Sequence, residues 1–370
     1  MSFNISYFKE LVAERPEWVS LRQFLESYEG GRLRVIDSGS NLYLIRYDKG
    51  ASNFNVPHTN WFRSVVWDST TNRPVCIAPP KATEEIPEEA GTFTYEEFYE
   101  GVMINAFLKD GEVRLATRSK LDATGTFYSS RSFQSLLLDT GMTLDKIKTY
   151  LTETGSLFVS LLLQHPEHKL VSRITEPKAI LIHTGCVDLD GCVTMTNRVL
   201  EALNKPVGVS LDAWARSLAE TNGWQHQGIV VKDGTGRRYR LRSSAYTMVR
   251  TLRGDSPRLD VRFLKLRQQK MLETYVYYYP EEKELIDQLE QLVRLLTQQL
   301  YNYYICTHIK HTIKFVDLPP QWKTHVFALH SYFLGNLKAR GFFIRKQEAV
   351  QYVNGLPLPR LLHLIRIHQS

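Results

Sequence analysis

Up to Arg262 the chain is written in short apolar or alternating runs cut by turn residues, and beyond Arg262 no such run recurs. RLRVIDSG, NLYLIRYD, WFRSVVWDSTTNRPVCIAPP, GVMINAFL, EVRLATRS and QGIVVKDGTGRRYRLRSSAY all read as strands with their turns. Two of the turns are Lys-Asp-Gly, at Lys109 and Lys232, and a DG pair between alternating runs is a strong hairpin signal. KAILIHTG and GCVTMTN form a further hairpin, and LFVSLLLQHPEHKLV is expected as a strand, a turn at Pro166 and a second strand. Strands joined by turns this tight pair with their neighbours, which makes an antiparallel sheet the expected body.

Helical stretches interrupt that body at residues 1–28, at SFQSLLLDTGMTLDKIKTYL and at VSLDAWARSLAETN, the last started by Ser210 or Asp212. KATEEIPEEAGT, residues 81–92, reads as a surface loop. After Arg262, Leu285, Leu289, Leu292, Leu296, Leu300 and Tyr303 fall on one helical face behind Pro280 and several acids. QWKTHVFALHSYFLGNL, KQEAVQYVNGL and PRLLHLIRIHQ continue in the same period. The expected fold class is α+β: an antiparallel, β-rich body over residues 1–262 and an all-helical C-terminal domain over residues 263–370.

Charge follows the same division. Residues 261–370 hold 15 of the 46 Lys and Arg and 8 of the 39 Asp and Glu, which leaves 31 of each and a neutral remainder. The net charge of +7 therefore sits in the last third, and a basic segment beside a neutral one suits a polyanionic neighbour, nucleic acid above all. No apolar run is long enough to span a bilayer, so insertion into a membrane is not expected. MSFNISYFKELVAERPEW has no basic-then-apolar signal pattern, and secretion is not expected either.

Four scattered cysteines (Cys76, Cys186, Cys192, Cys306) contain no CxxC pair, which argues against a zinc site or a disulfide framework. His308 and His311 share a helix face near His325 and His330, but no matching Cys or clustered acid completes a metal set. His165 and His168 flank Pro166 as turn residues. YVYYYPEE and LYNYY mix aromatics into the basic tail, where tyrosines serve a helical core or a protein contact more readily than base stacking.

GVMINAFLKDGEVRLATRS, LFVSLLLQHPEHKLV and QGIVVKDGTGRRYRLRSSAY, in that order, resemble the successive core segments of covalent nucleotidyltransferases. The resemblance is to the RNA ligase family of the bacteriophage type and its relatives in large DNA viruses. WFRSVVWDSTTNRPVCIAPPKA is similar to that family's lead-in, and YYYPEEKEL and YVNGLPLPRLLHLI to the helical tails of its viral relatives. The resemblance implies a nucleotidyltransferase body, ATP-dependent-ligase-like, with residues 1–92 as lead-in and 93–262 as core. In that family a lysine attacks the α-phosphate of ATP, carboxylates hold a divalent metal, and cations flank the phosphates.

The residues that should carry this chemistry are replaced. The nucleophile position, two before Glu100, is Phe98, whose ring has no lone pair to offer phosphorus. The acid of that motif survives as Glu100, followed by Gly101. The next strand has Leu162, or Ser160 with a shift of two, where the family has a glutamate. The family's glutamate–glycine pair is Gln227-Gly228, and a neutral amide is a poor ligand for a hard divalent cation. The closing lysines correspond to Arg240 and Arg242, which keep the charge and can grip phosphate but cannot give up a proton.

The resemblance thus implies a vestigial nucleotide pocket of Phe98, Glu100, Gly101, Arg118, Leu162, Gln227, Arg240 and Arg242. Arg63, Lys81 and Lys120 are its expected phosphate contacts. Phe98 pointing inward would fill the space of a lysine–AMP bond, so weak or absent ATP binding is expected. Lys109 and Lys232 are expected at hairpin tips, facing water, and not as replacement nucleophiles.

The expected function is a pseudoenzyme serving as a structural or binding protein. The viral likeness implies a virion component of a large DNA virus, found in the host cytoplasm or the particle, or a cytoplasmic protein if not viral. One alternative is a nucleic-acid-binding protein working through a basic cleft and tail. The other is an active ATP-dependent RNA ligase with an unrecognised lysine. No cofactor is expected except under that last alternative, which needs ATP and magnesium. Expected partners are other protein subunits, viral capsid proteins among them, and RNA or DNA.

Overall fold

The computed structural model describes residues 2–86, 93–198 and 202–369. It divides into two compact units, Met1–Arg250 and Thr251–Ser370. The border expected after residue 262 therefore moves toward the N-terminus. The reason is local to the second unit: Arg262, 4% exposed, donates to Glu282 Oε2 at 2.9 Å and to the Tyr275 hydroxyl at 3.0 Å. A buried guanidinium needs that carboxylate, which places residues 251–262 with the helices.

The first unit begins with β1 (Ser2–Ile5), α1 (Tyr7–Glu14) and α2 (Trp18–Glu26). Residues 2–5 correct the all-helical expectation for residues 1–28. Then come β2 (Arg34–Asp37), β3 (Leu42–Arg46), β4 (Val65–Asp68), β5 (Arg73–Ile77) and β6 (Thr94–Glu97). The central hairpin is β7 (Val102–Lys109) and β8 (Glu112–Ala116), followed by α3 (Phe133–Leu138), α4 (Leu144–Thr154) and β9 (Phe158–Gln164). The unit closes with β10 (Lys178–Val187), β11 (Val193–Asn197), α5 (Leu211–Asn222), β12 (Gly228–Lys232) and β13 (Arg238–Arg242). The strands are followed by α6 (Ser244–Arg253).

Among the described residues the strands form three antiparallel sheets, in the orders β1-β11-β10-β9-β7-β8, β2-β3-β4-β5 and β13-β12-β6. Alternation decides what each face meets. Leu161 and Leu163 of β9 turn to the cluster that α3 and α4 cover with Leu136, Leu137, Ile147 and Leu151. Phe158, at the start of the strand and in the opposite phase, joins the cluster on the other face with Phe8, Phe62 and Trp67. Ser210 does start α5, accepting the Ala213 amide at 3.3 Å. The acidic loop expected at 81–92 lies outside the described residues from 87 onward.

The segment after β9 departs from its expected second strand. Residues 166–168 make a short 3-10 turn and residues 169–173 run without sheet pairing. His165 and His168, expected as plain turn residues, are buried at 4% and 8% exposure. His165 Nε2 lies 3.1 Å from Asp139 Oδ2, and the His168 ring stacks on Phe133 at 5.2 Å.

The second unit is all-helical among its described residues: α7 (Leu259–Gln268), α8 (Leu272–Tyr278), α9 (Lys283–His308), α10 (Pro320–Tyr332), α11 (Lys346–Asn354) and α12 (Leu358–Gln369). Helix α9 buries Ile286, Val293, Leu296, Leu300 and Tyr304, while Leu285 is 51% exposed. Its buried stripe is therefore rotated from the one expected through Leu285, Leu289 and Leu292. The antiparallel β-rich body and the helical C-terminal part make this an α+β protein.

Candidate functional site

Strand β13 sets up the site. RYRLR alternates, so Tyr239 packs into a small core with Trp214, Ile229 and Val231, and Arg238, Arg240 and Arg242 stand together on the other face. Register continues the pattern across β12, where Gly228 faces Arg242, Val230 faces Arg240 and Lys232 faces Arg238. Gly228 has φ +130°, and a Cβ there would meet the Leu241 carbonyl oxygen at 1.9 Å. Gly101, opening the neighbouring hairpin, has the Leu163 carbonyl oxygen 2.6 Å from where its Cβ would be. Both glycines allow backbones to approach where any side chain would clash.

This face lines a cleft of about 520 Å³ within the first unit. Phe98, Glu100, Gly101, Arg118, Leu162, Gln227, Arg240 and Arg242 all line it, as do Arg63 and Lys81. Residues spread over nearly the whole unit are thus brought to one place. Lys120 is not: it is exposed outside the cleft, where its carbonyl accepts from the Thr117 amide at 2.9 Å. The sequence reading also missed Lys49, Lys232, Arg238 and Arg250, which complete the basic lining.

Among the described residues the lining holds nine Lys or Arg side chains and three glutamates. Two of the three carboxylates are spent. Glu96 receives Lys232 Nζ on both oxygens, at 2.8 and 2.7 Å, with the two side chains 3% and 4% exposed. Lys232 is consequently not a solvent-facing tip residue, which corrects the sequence reading. Lys109 is also engaged, 2.8 Å from the buried Asp68 carboxylate.

Glu100 is spent on backbone. Its carboxylate accepts the amides of Leu170, Val171 and Ser172 at 2.9 to 3.1 Å and the Tyr246 hydroxyl at 2.8 Å. It is 3% exposed, and both of its oxygens accept these bonds. Burial first, then the Glu100 charge, pushes the Tyr246 phenol well above its ordinary range. Glu97 remains, half exposed and 3.6 Å from His226 Nδ1. Ser160, the shifted alternative to Leu162, is fully buried and donates to Asn105 Oδ1 at 2.5 Å.

The cations are crowded and short of partners. Arg118 reaches the Tyr47 carbonyl oxygen at 3.1 Å, Arg240 the exposed Glu84 at 2.8 Å, and Lys81 lies 3.6 Å from the centre of the Phe54 ring. Among the described residues, the buried Nε atoms of Arg118, Arg238 and Arg240 have no hydrogen-bond partner, and neither has Oε1 of Gln227, itself 7% exposed. Burial, followed by the neighbouring Arg63, lowers Arg238 to about 10. Lys49, Lys81 and Arg242 are also held below their ordinary values, by burial first and then by neighbouring guanidiniums. Like charges held together in a cleft are costly unless an anion joins them.

At Phe98 the chain bonds its amide to the Gly228 carbonyl oxygen at 2.9 Å, and the Arg242 guanidinium sits 5.6 Å from the phenyl ring. The position can pack or cradle, and it cannot attack phosphorus. Magnesium does not fit this donor set, since a hard divalent cation needs several oxygen ligands and two of the three lining carboxylates are committed elsewhere. Among the described residues, no group of three or more His, Cys, Asp or Glu is placed to hold a metal ion. What the lining can do is neutralise and orient a phosphate-bearing molecule.

No family model and no curated protein sequence matches this chain. Among solved structures, an archaeal ATP-dependent RNA ligase overlaps 97% of this chain and 81% of its own length, at 11% identity and a TM-score of 0.37. A likeness of that size assigns neither activity nor residue roles.

Proposed function

We propose that this chain is an RNA-ligase-like protein that has lost nucleotidyl transfer and holds phosphate-bearing nucleic-acid ends without forming a covalent bond to them. One observation carries the reading: nine basic side chains line the cleft, while Phe98 stands at the nucleophile position and Glu96 and Glu100 are committed to Lys232 and to backbone amides. Electrostatic capture of phosphate remains available to such a site, and the covalent and metal-assisted steps have lost their groups. The sequence resemblance to ligases of large DNA viruses supports a structural or binding role in a virion.

The test is an intact-mass measurement after incubation with ATP and magnesium or manganese, paired with binding of single-stranded RNA carrying either a 5′-phosphate or a 5′-hydroxyl. The expected result is no mass increase and tighter binding of the phosphorylated RNA. An AMP adduct, on Lys81 or Lys232 for example, overturns the loss of nucleotidyl transfer. Equal affinity for the two RNAs overturns the phosphate reading.

A further inference from the structure

The second unit carries a surface that the cleft does not explain. From residue 318 to 347 the chain contains no Asp or Glu, and it contains Lys323, Lys338, Arg340, Arg345 and Lys346. The segment KARGFFIRK, residues 338–346, has only basic and apolar side chains. Helix α10 runs on through a π turn, Phe333–Leu337, and a 3-10 turn, Lys338–Arg340, and the chain then reverses at Gly341 with φ +72°. Leu337 and Ile344, 9% and 3% exposed, root this turn in the unit.

In this turn Phe342 and Phe343 are 52% and 65% exposed, and on the elements leading into it Phe327 of α10 is 63% exposed and Leu334 of the π turn 49%. Lys338, Arg340, Arg345 and Lys346 are all exposed, and none has an ion pair among the described residues. We infer that this turn is a docking surface for anionic lipid bilayers, with Phe342 and Phe343 entering the headgroup layer and the four flanking cations contacting acidic headgroups.

The chemistry favours lipid over a nucleic acid. Leu334 is aliphatic and offers no π face, and the Phe343 ring is already engaged with Phe333, nearly parallel at 6.5 Å. Exposed aliphatic and aromatic groups with exposed cations beside them in the chain, the nearby Glu348 being turned onto the Arg345 amide at 2.7 Å, match a hydrocarbon boundary under negative headgroups. Stacking on bases would call for open aromatic faces. Among the described residues no helix is long and apolar enough to cross a membrane, so the contact is adsorption and not a span.

Flotation of the full chain with vesicles tests this. Wild type is expected to float with phosphatidylcholine–phosphatidylserine vesicles and not with phosphatidylcholine alone, and to be released as salt rises. Phe342→Ser with Phe343→Ser is expected to lower vesicle affinity by at least about tenfold. Phe342→Leu with Phe343→Leu should retain it, because a bilayer reads hydrophobicity and not ring shape. Lys338→Ala and Arg340→Ala should each cost about fivefold. The inference is overturned if wild type ignores acidic vesicles, or if the leucine pair fails as badly as the serine pair. It is equally overturned if the serine pair loses binding to single-stranded oligouridylate while vesicle binding is unchanged, which would make the turn a nucleic-acid platform.

Discussion

Lys232 and Glu96 form a bidentate ion pair at 2.7 and 2.8 Å with almost no solvent access, on the inner wall of the cleft. Removing one member leaves a buried charge alone. Lys232→Met is therefore expected to destabilise the first unit by about 3–5 kcal/mol. Adding Glu96→Leu removes the orphaned charge and should return most of that loss. Urea unfolding of both singles and the double measures the coupling. If Lys232→Met is as stable as wild type, the pair carries no weight and Lys232 becomes a candidate for a chemical role.

Glu100 organises the chain after β9 by gathering three successive amides and the Tyr246 hydroxyl. Tyr246→Phe deletes one of these bonds and should cost about 1–2 kcal/mol, since the carboxylate keeps its amides. Glu100→Ala leaves all the amides without their acceptor and should cost more. Hydrogen exchange at Leu170, Val171 and Ser172 is the sensitive readout. These amides should lose protection in Glu100→Ala and largely keep it in Tyr246→Phe. Unchanged protection in the alanine variant would show that the segment is held by something else.

Much of the body could be read directly because its signals are local. The hairpin β7–β8 turns at Asp110 and Gly111, both at positive φ, as a DG pair demands. The alternation of RYRLR puts Arg240 and Arg242 on one face, and Arg238, which was missed, shares their phase and could have been found by it. Lys232 was harder to read. A lysine next to Asp-Gly looks like a turn residue, and its partner Glu96 is 136 positions away.

The same limit explains the other misses. Residues 2–5 are a strand only because β11 lies alongside them, and Leu170, Val171 and Ser172 give their amides to Glu100 in place of a ladder. Helix α9 is leucine-rich enough to offer two faces, and its tertiary neighbours, not its periodicity, select the one through Ile286 and Val293. Each of these features depends on a distant partner that no local window contains.

Crowded cations make a specific ionic prediction. Binding of 5′-phosphorylated single-stranded RNA should weaken with salt, and Arg238→Ala, Arg240→Ala or Arg242→Ala should each flatten the log–log slope by about 0.7. Uncharged substitutions at Phe98 should leave the slope alone. A slope unchanged by all three arginine variants would mean that phosphates bind elsewhere.

Magnesium should oppose binding in the same cleft. A metal neutralises part of a polyphosphate's charge, and Glu96 and Glu100 are not free to coordinate it in return. Inorganic tripolyphosphate is therefore expected to bind more tightly in EDTA than in magnesium when followed by calorimetry. Stronger binding with magnesium would show that a carboxylate, Glu97 being the open one, still recruits metal.

His183 gives the body an acid-sensitive point. Its ring is fully buried, edge-on to Phe158 at 6.1 Å, with Nε2 donating to the Ile77 carbonyl oxygen at 3.1 Å. Burial lowers its pKa from 6.5 to about 3, against the bond to Ile77, and the charges of Arg238, Lys232 and Arg63 act in the same direction as burial. The folded value lies below the unfolded one, so the unfolded chain takes up a proton that the fold refuses. Stability from this group is complete above pH 6.5 and falls as pH drops from there toward 3. Between pH 7 and pH 5 the loss should reach about 2 kcal/mol. His58, also held low by burial, steepens the same limb. His183→Gln keeps a donor for Ile77 and has no proton to gain, so its urea midpoint should vary less over that range. An identical pH profile in the variant would rule out His183 as the source of the slope.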